Sequence, residues 1–221
     1  MAAEAGQRVL VIAPHALDEA LGCGGTMAHH AQAGDRVETL VVFGDGSGGD
    51  AGRREAARRA ASFLGTQGPS FAGFAENSAD RVPLSEVIAA IEGALTHYRP
   101  ETIYLPWGGG LHNDHRVAAQ AAMTAVRPLP GSAVARVYAF EILSSTEWSP
   151  GALFRPTRFV EISATLDAKM AAIAAYAADA RRSPHARSPE ACRALATLRG
   201  ASVGVAAAEA FETVREILRE A

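Results

Sequence analysis

The stretch Arg8 to Thr26 reads RVLVIAPHALDEALGCGGT, and its first half decides the fold. Val9 to Ala13 is a continuous apolar run with β-branched residues, stopped by Pro14. Such a run suits a strand buried on both faces of a parallel sheet. His15, Asp18 and Glu19 sit just past its end, and residues from about Asp18 to Ala33 read as a helix that stops at Gly34.

Working outward, the same grammar repeats. Val37 to Phe43 reads as a second strand, closed by the glycine-rich loop Gly44 to Gly49, and Arg53 to Leu64 as an Ala- and Arg-rich helix. Gly68 to Pro83 is mostly irregular, with a short strand near Phe71. Leu84 to His97 places Val87, Ile88, Ile91 and Leu95 at helical spacing. Thr102 to Leu105 is another short buried strand, and a helix is expected from about His115 to Ala125. Val134 to Ile142 and Arg158 to Ile162 read as later strands; Asp167 to Ala178, Pro189 to Leu198 and Ala206 to Leu218 read as helices. Alternation of this kind predicts an α/β domain, a mostly parallel sheet with helices on both faces. Its 221 residues suit one such domain, spanning 1–221.

Composition narrows the function classes. The chain is 48% hydrophobic and 20% charged with a net charge of −3, which argues against disorder and offers nucleic acid or an anionic membrane no electrostatic attraction. No apolar stretch approaches the ~20 residues of a spanning helix. MAAEAGQR at the start lacks a cationic head followed by a long apolar run, so the expectation is a cytoplasmic protein without a secretory signal. Cys23 and Cys192 are too few for a disulfide framework or a zinc-thiolate cluster. Self-association is left open.

In an open α/β sheet, ligands bind beyond the carboxyl ends of the strands. His15 and Asp18 follow the first strand, and His112-Asn113-Asp114-His115 follows the strand ending at Leu105. Two histidines and a carboxylate with open positions are a common divalent-metal set, suited to zinc or iron. His15 and Asp18 can face one point from a strand-to-helix turn, and His115 would be the third ligand. His112 is then the candidate donor to an oxyanion, with Asp114 placed to orient it. Taken singly, each of these residues has a structural reading: Asp18 as a helix cap, Asn113-Asp114 as a helix start. Two complementary clusters at two strand ends reverse that preference. Arg53 is a candidate for substrate contact, and Trp107 beside Gly108-Gly109-Gly110 for stacking on a sugar ring. A nucleotide-binding reading is weaker, since Gly22-Cys23-Gly24-Gly25 does not follow G-x-G-x-x-G.

At Pro14-His15-Ala16-Leu17-Asp18-Glu19, Leu21-Gly22-Cys23-Gly24-Gly25-Thr26 and His112-Asn113-Asp114-His115, the chain resembles the LmbE-like, or PIG-L, family of zinc-dependent N-acetylglucosaminyl deacetylases. Further similarity lies in Phe140 to Trp148 and in Ala208-Glu209-Ala210-Phe211. The resemblance implies a Rossmann-like fold, zinc (with iron as the other divalent candidate) on His15, Asp18 and His115, and His112 with Asp114 as oxyanion stabiliser and partner. Glu19 would support the site. The implied partner is a small N-acetylated sugar or glycoconjugate. Two positions depart from the family pattern: Ala16 replaces a proline, and Leu17 replaces the aspartate that serves as general base. Leucine cannot accept a proton, so the alternative is a catalytically weak or inactive metal- or sugar-binding relative. Glu19, Asp114 and Asp45 are the candidates for a relocated base.

Overall fold

A computed structural model of the chain describes residues 6–44, 51–151, 153–179 and 181–218. Arg8–Ala13 forms β1, Asp18–Gln32 α1, Arg36–Phe43 β2, Ala51–Leu64 α2, Ser70–Phe74 β3 and Leu84–Tyr98 α3. Thr102–Pro106 forms β4, Asn113–Ala125 α4, Arg136–Phe140 β5, Arg158–Glu161 β6, Leu166–Ala174 α5, Pro189–Ala201 α6 and Ala208–Glu216 β7. Among the described residues the strands make one seven-stranded sheet in the order β3-β2-β1-β4-β5-β7-β6. The first five run parallel, and β7 pairs antiparallel with both β5 and β6. The result is the expected single α/β domain with a mostly parallel sheet. No helix among the described residues is long and apolar enough to cross a membrane.

The sheet is buried on both faces, which is why its strands read as unbroken apolar runs. Val9 and Val11 of β1 face a core shared with α1, α2 and α5, whereas Leu10 and Ile12 face one shared with α3 and α4. The chain runs outward from β1 through β2 to β3, then returns to place β4 on the other side of β1. The crevice between the ends of β1 and β4 is therefore the switch point, where open α/β sheets bind ligands.

One element differs in kind from its sequence reading. Ala206 to Leu218, expected as a helix, contains β7. Alanine, glutamate, arginine and leucine favour helix locally, but the vacancy between β5 and β6 is filled by pairing on both edges, and tertiary pairing overrides propensity. The strand also brings in Glu209.

Glu209 repairs a break in α1. Cys23 is non-helical (φ −145°, ψ 20°), so the bond from Gly25 N–H to the Leu21 carbonyl is lost. Instead the Leu21 carbonyl accepts from Lys169 Nζ at 2.8 Å, while Gly25 and Thr26 donate their N–H groups to Glu209 at 2.9 and 2.7 Å. Lys169 and Glu209 pair with each other at 2.5 Å, both nearly fully buried. Lys169 is the only lysine in the chain. Close approach is required here as well: a Cβ on Gly22 would meet the Phe140 ring at 2.2 Å, and one on Gly25 would meet Ile162 at 2.7 Å. Lys169→Met keeps the bulk but leaves the buried Glu209 charge and the Leu21 carbonyl unpartnered. Urea unfolding is expected to show a loss of about 3–5 kcal/mol. A loss below about 1 kcal/mol would mean that the pair is solvated.

Both cysteines are free and buried, and burial pushes both thiols up, consistent with packing residues.

Candidate metal centre

The turn after β1 is held in an unusual shape. Leu17 has φ 93°, a left-handed value that a branched side chain adopts at a cost of roughly 1–3 kcal/mol. Its N–H donates to Glu19 Oε2 at 2.9 Å, and the N–H of Asp18 donates to the His15 carbonyl at 3.2 Å. Glu19 is buried and its other oxygen accepts from the Tyr176 hydroxyl. Burial pushes the Glu19 carboxyl up to about 7, outweighing those hydrogen bonds. Glu19 thus braces the turn from beneath. Leu17, not Asp18, occupies the helix N-cap position, and the Asp18 side chain turns toward the histidines.

Three ligand atoms converge there. His15 Nδ1 lies 3.2 Å from Asp18 Oδ2, His115 Nε2 lies 3.2 Å from the same oxygen, and the two ring nitrogens are 3.3 Å apart. All three residues are buried. Asp18 Oδ1 is buried with no hydrogen-bond partner. Burial works against the Asp18 charge, but His115 and His15 outweigh it and hold the carboxyl well below the usual carboxylate range. Burial likewise pulls His15 down, and Asp114 and Asp18 more than offset it, placing the imidazole at about 9.

Asp114 stands elsewhere than expected. Its carboxylate does not reach His112; it accepts from His15 Nε2 at 2.8 Å and from the N–H groups of Asn77 and Ala79 at 2.7 and 3.2 Å. The reason is geometric. Asp114 opens α4 with its side chain aimed across the crevice at β1, whereas His112 caps that helix by accepting the Asp114 N–H at Nδ1. His112 is half-buried, edge-on to His15 and stacked on His115, with ring centres 4.9 Å away in each case. Burial and then the neighbouring imidazoles hold it below the ordinary histidine value. His15, His112 and Asp114 form a second group of potential ligands. Its carboxylate is already committed to two backbone N–H groups and a ring nitrogen, and His112 Nδ1 to the helix cap.

Two expected substrate contacts are placed differently. Trp107 is packed in the core, only 9% exposed, and its indole N–H donates to Glu212 at 3.0 Å. Its ring meets Phe154 edge-on, and what remains exposed lines a groove with Gly108, Gly109, Arg116 and Met123 rather than the cluster of His15, Asp18 and His115. The Arg53 guanidinium pairs with Glu76 at 2.7 Å and Asp179 at 2.9 Å, tying α2 to the loop after β3 and to the 3-10 turn Ala177–Asp179. Asp45, the third candidate for a relocated base, lies outside the described residues. Sequence reasoning missed Ser145, whose carbonyl and hydroxyl accept the N–H groups of Leu111 and His112. It also missed Tyr176 and the Asn77–Ala79 backbone. Ser145 falls within the Phe140 to Trp148 resemblance; the others carried no signal, because their contribution is backbone or lies far along the chain.

Comparison with known proteins decides the family. The PIG-L family profile, described as GlcNAc-PI de-N-acetylase, matches residues 10–126, more than half of the chain. The chain belongs to the PIG-L family. That family comprises deacetylases of GlcNAc-type and related substrates. The PIG-L chain is 31% identical over 129 residues to an uncharacterized deacetylase, YaiS, of Escherichia coli strain K12, covering 55% of this chain and 69% of that protein. It is 28% identical over 229 residues to the 1D-myo-inositol 2-acetamido-2-deoxy-alpha-D-glucopyranoside deacetylase of Mycobacteroides abscessus, covering 77% and 81%. A conserved protein of Thermus thermophilus shares its fold with a TM-score of 0.78 at 27% identity, over 97% of each chain.

Proposed function

We propose that this PIG-L chain is a zinc-dependent N-deacetylase acting on an N-acetylated amino sugar or related small amide. The carrying observation is the triangle of His15 Nδ1, Asp18 Oδ2 and His115 Nε2, with sides of 3.2, 3.2 and 3.3 Å. Neighbouring ligands on a tetrahedral zinc with bonds of about 2.0–2.2 Å lie about 3.3–3.6 Å apart. The unpartnered, buried Asp18 Oδ1 fits the same purpose, since an isolated carboxylate oxygen is costly to bury. The relatives whose names include deacetylase support the reaction class.

When bound, the metal supplies Lewis acidity, polarising the amide carbonyl and acidifying water. The chain's own residues do the rest. Asp114 accepts from His15 Nε2 and so holds that ring with Nδ1 turned inward. His112, neutral and accepting at Nδ1, carries its proton on Nε2, where it can donate to the oxygen that gains charge in the transition state. Asp114→Asn is expected to weaken zinc binding about 10–100-fold, read by competition with a fluorescent chelator. Unchanged affinity would remove Asp114 from the centre.

A specific observation favours a second reading, that of a weak or inactive relative. Leu17 places no carboxylate beside the triad, and the two described substitutes are occupied. Glu19 is bonded to Leu17 and Tyr176, and Asp114 to His15, Asn77 and Ala79. Assaying zinc-loaded protein on a panel of N-acetylhexosamines tests the two together. Zinc bound with no acetate released selects the weak relative, and absence of zinc binding sinks both.

A further inference from the structure

A cavity of about 220 Å³ lies between α5, the start of α6 and the turn that carries Leu17. Leu17, Met170 and Ile173 give it buried apolar walls, each under 10% exposed. Arg181, Arg187 and Arg193 line it from the more exposed side. Water occupies about 30 Å³ per molecule in the liquid, so the space takes a group of about seven non-hydrogen atoms. That is too little for a whole ligand of ordinary size and enough for one arm of it.

The charge at its opening is lopsided. Arg181 has no hydrogen-bond or ion-pair partner among the described residues. Arg187 spends its Nε on the Leu143 carbonyl and Ser144 Oγ, at 3.3 and 2.7 Å, which points the guanidinium plane without neutralising it. Arg193 pairs with Asp167 at 3.1 Å, but that carboxylate is 94% exposed and the pair is weak. Asp179, the acidic residue of the lining, is already held by Arg53 at 2.9 Å. A cationic opening over an apolar pocket thus stands on a chain whose net charge is −3. Leu17 joins this pocket to the proposed metal centre, because it lies in the chain between His15 and Asp18 and forms a wall of the cavity.

We infer that the cavity binds an anionic head carried on a short apolar arm, the arm against Leu17, Met170 and Ile173 and the carboxylate or phosphate at the arginines. Resting on the deacetylase reading, this makes the substrate class an N-acetylated compound with an acidic, partly apolar substituent rather than a bare neutral sugar. Arginine suits either head, since its fork pairs with both carboxylate and phosphate.

The test is calorimetric titration of the full chain, zinc-free and zinc-loaded, with hexanoate, hexyl phosphate, hexanol and inorganic phosphate. One of the two amphiphilic anions is expected to bind zinc-free protein at least about tenfold tighter than hexanol or inorganic phosphate, as a charge-assisted head requires. Which one binds identifies the head. The exposed Arg181→Ala change, made with Arg193→Ala, is expected to remove that preference, and Ile173→Trp to abolish binding by filling the space. Equal binding of hexanoate, hexyl phosphate and hexanol to zinc-free protein would overturn the inference, as would a preference that survives the arginine changes. Anion binding by a chain that takes up no zinc would uphold the cavity and sink the hydrolase reading. Zinc-dependent activity without anion preference would do the reverse.

Discussion

His15→Ala is expected to lower bound zinc from about one per chain to below about 0.1 after reconstitution and desalting, because two protein ligands do not make a closed site. The change removes Nδ1 from the triangle, leaving Asp18 Oδ2 and His115 Nε2. It also leaves Asp114 without its ring partner, held only by the N–H groups of Asn77 and Ala79. A second readout follows from linkage. Free zinc at 100-fold over Kd adds about 2.7 kcal/mol to native stability. That increment should be present in the native chain and missing from the variant, with circular dichroism unchanged in both. A variant that keeps its zinc, or a native chain that never takes it up, would remove the triangle as the binding site.

Leu17→Asp should have the largest effect on rate. Restoring a general base is worth on the order of 10²–10⁴-fold, and kcat on an N-acetylated amino sugar is expected to rise by that factor. The backbone tolerates the change: φ 93° is less costly for aspartate than for leucine, whose side chain is bulkier at the turn. The opposing cost is a charge placed in a buried position that leucine now fills with 5% exposure. Leu17→Asn separates the two contributions, since it matches aspartate in size and polarity but accepts no proton. An increase confined to aspartate identifies the missing base. Robust turnover by the native chain with no gain from aspartate would show that the base lies elsewhere, and the weak-relative reading would fall.

Much of this architecture was legible in the residues. β1, β2 and β4 were readable because strands covered on both faces must be apolar throughout, and their polar successors mark the rim. His15, Asp18 and His115 were readable together because a strand end and a helix start fix where short side chains point. β7 was not, since its composition argues for a helix and only the gap between β5 and β6 makes it a strand. Asp114 was misassigned for a related reason. Spacing along α4 relates it to His112, whereas its carboxylate bonds to a ring 99 residues earlier. Trp107 reads as a sugar platform from its glycine neighbours, and only packing shows how little of the residue is exposed and that it faces a groove beside α4.

The break in α1 has a consequence for the order in which the molecule can be completed. The helix that begins with Asp18 is made whole by Lys169 and Glu209, whose bonds to it span 148 and 184 residues of chain. Until Ala208–Glu216 has left the ribosome and inserted, the Gly25 and Thr26 amides lack their acceptor. The second half of α1 is therefore completed only by an element that lies 184 residues further along the chain. A chain that stops short of β7 would carry α1 with its break unrepaired.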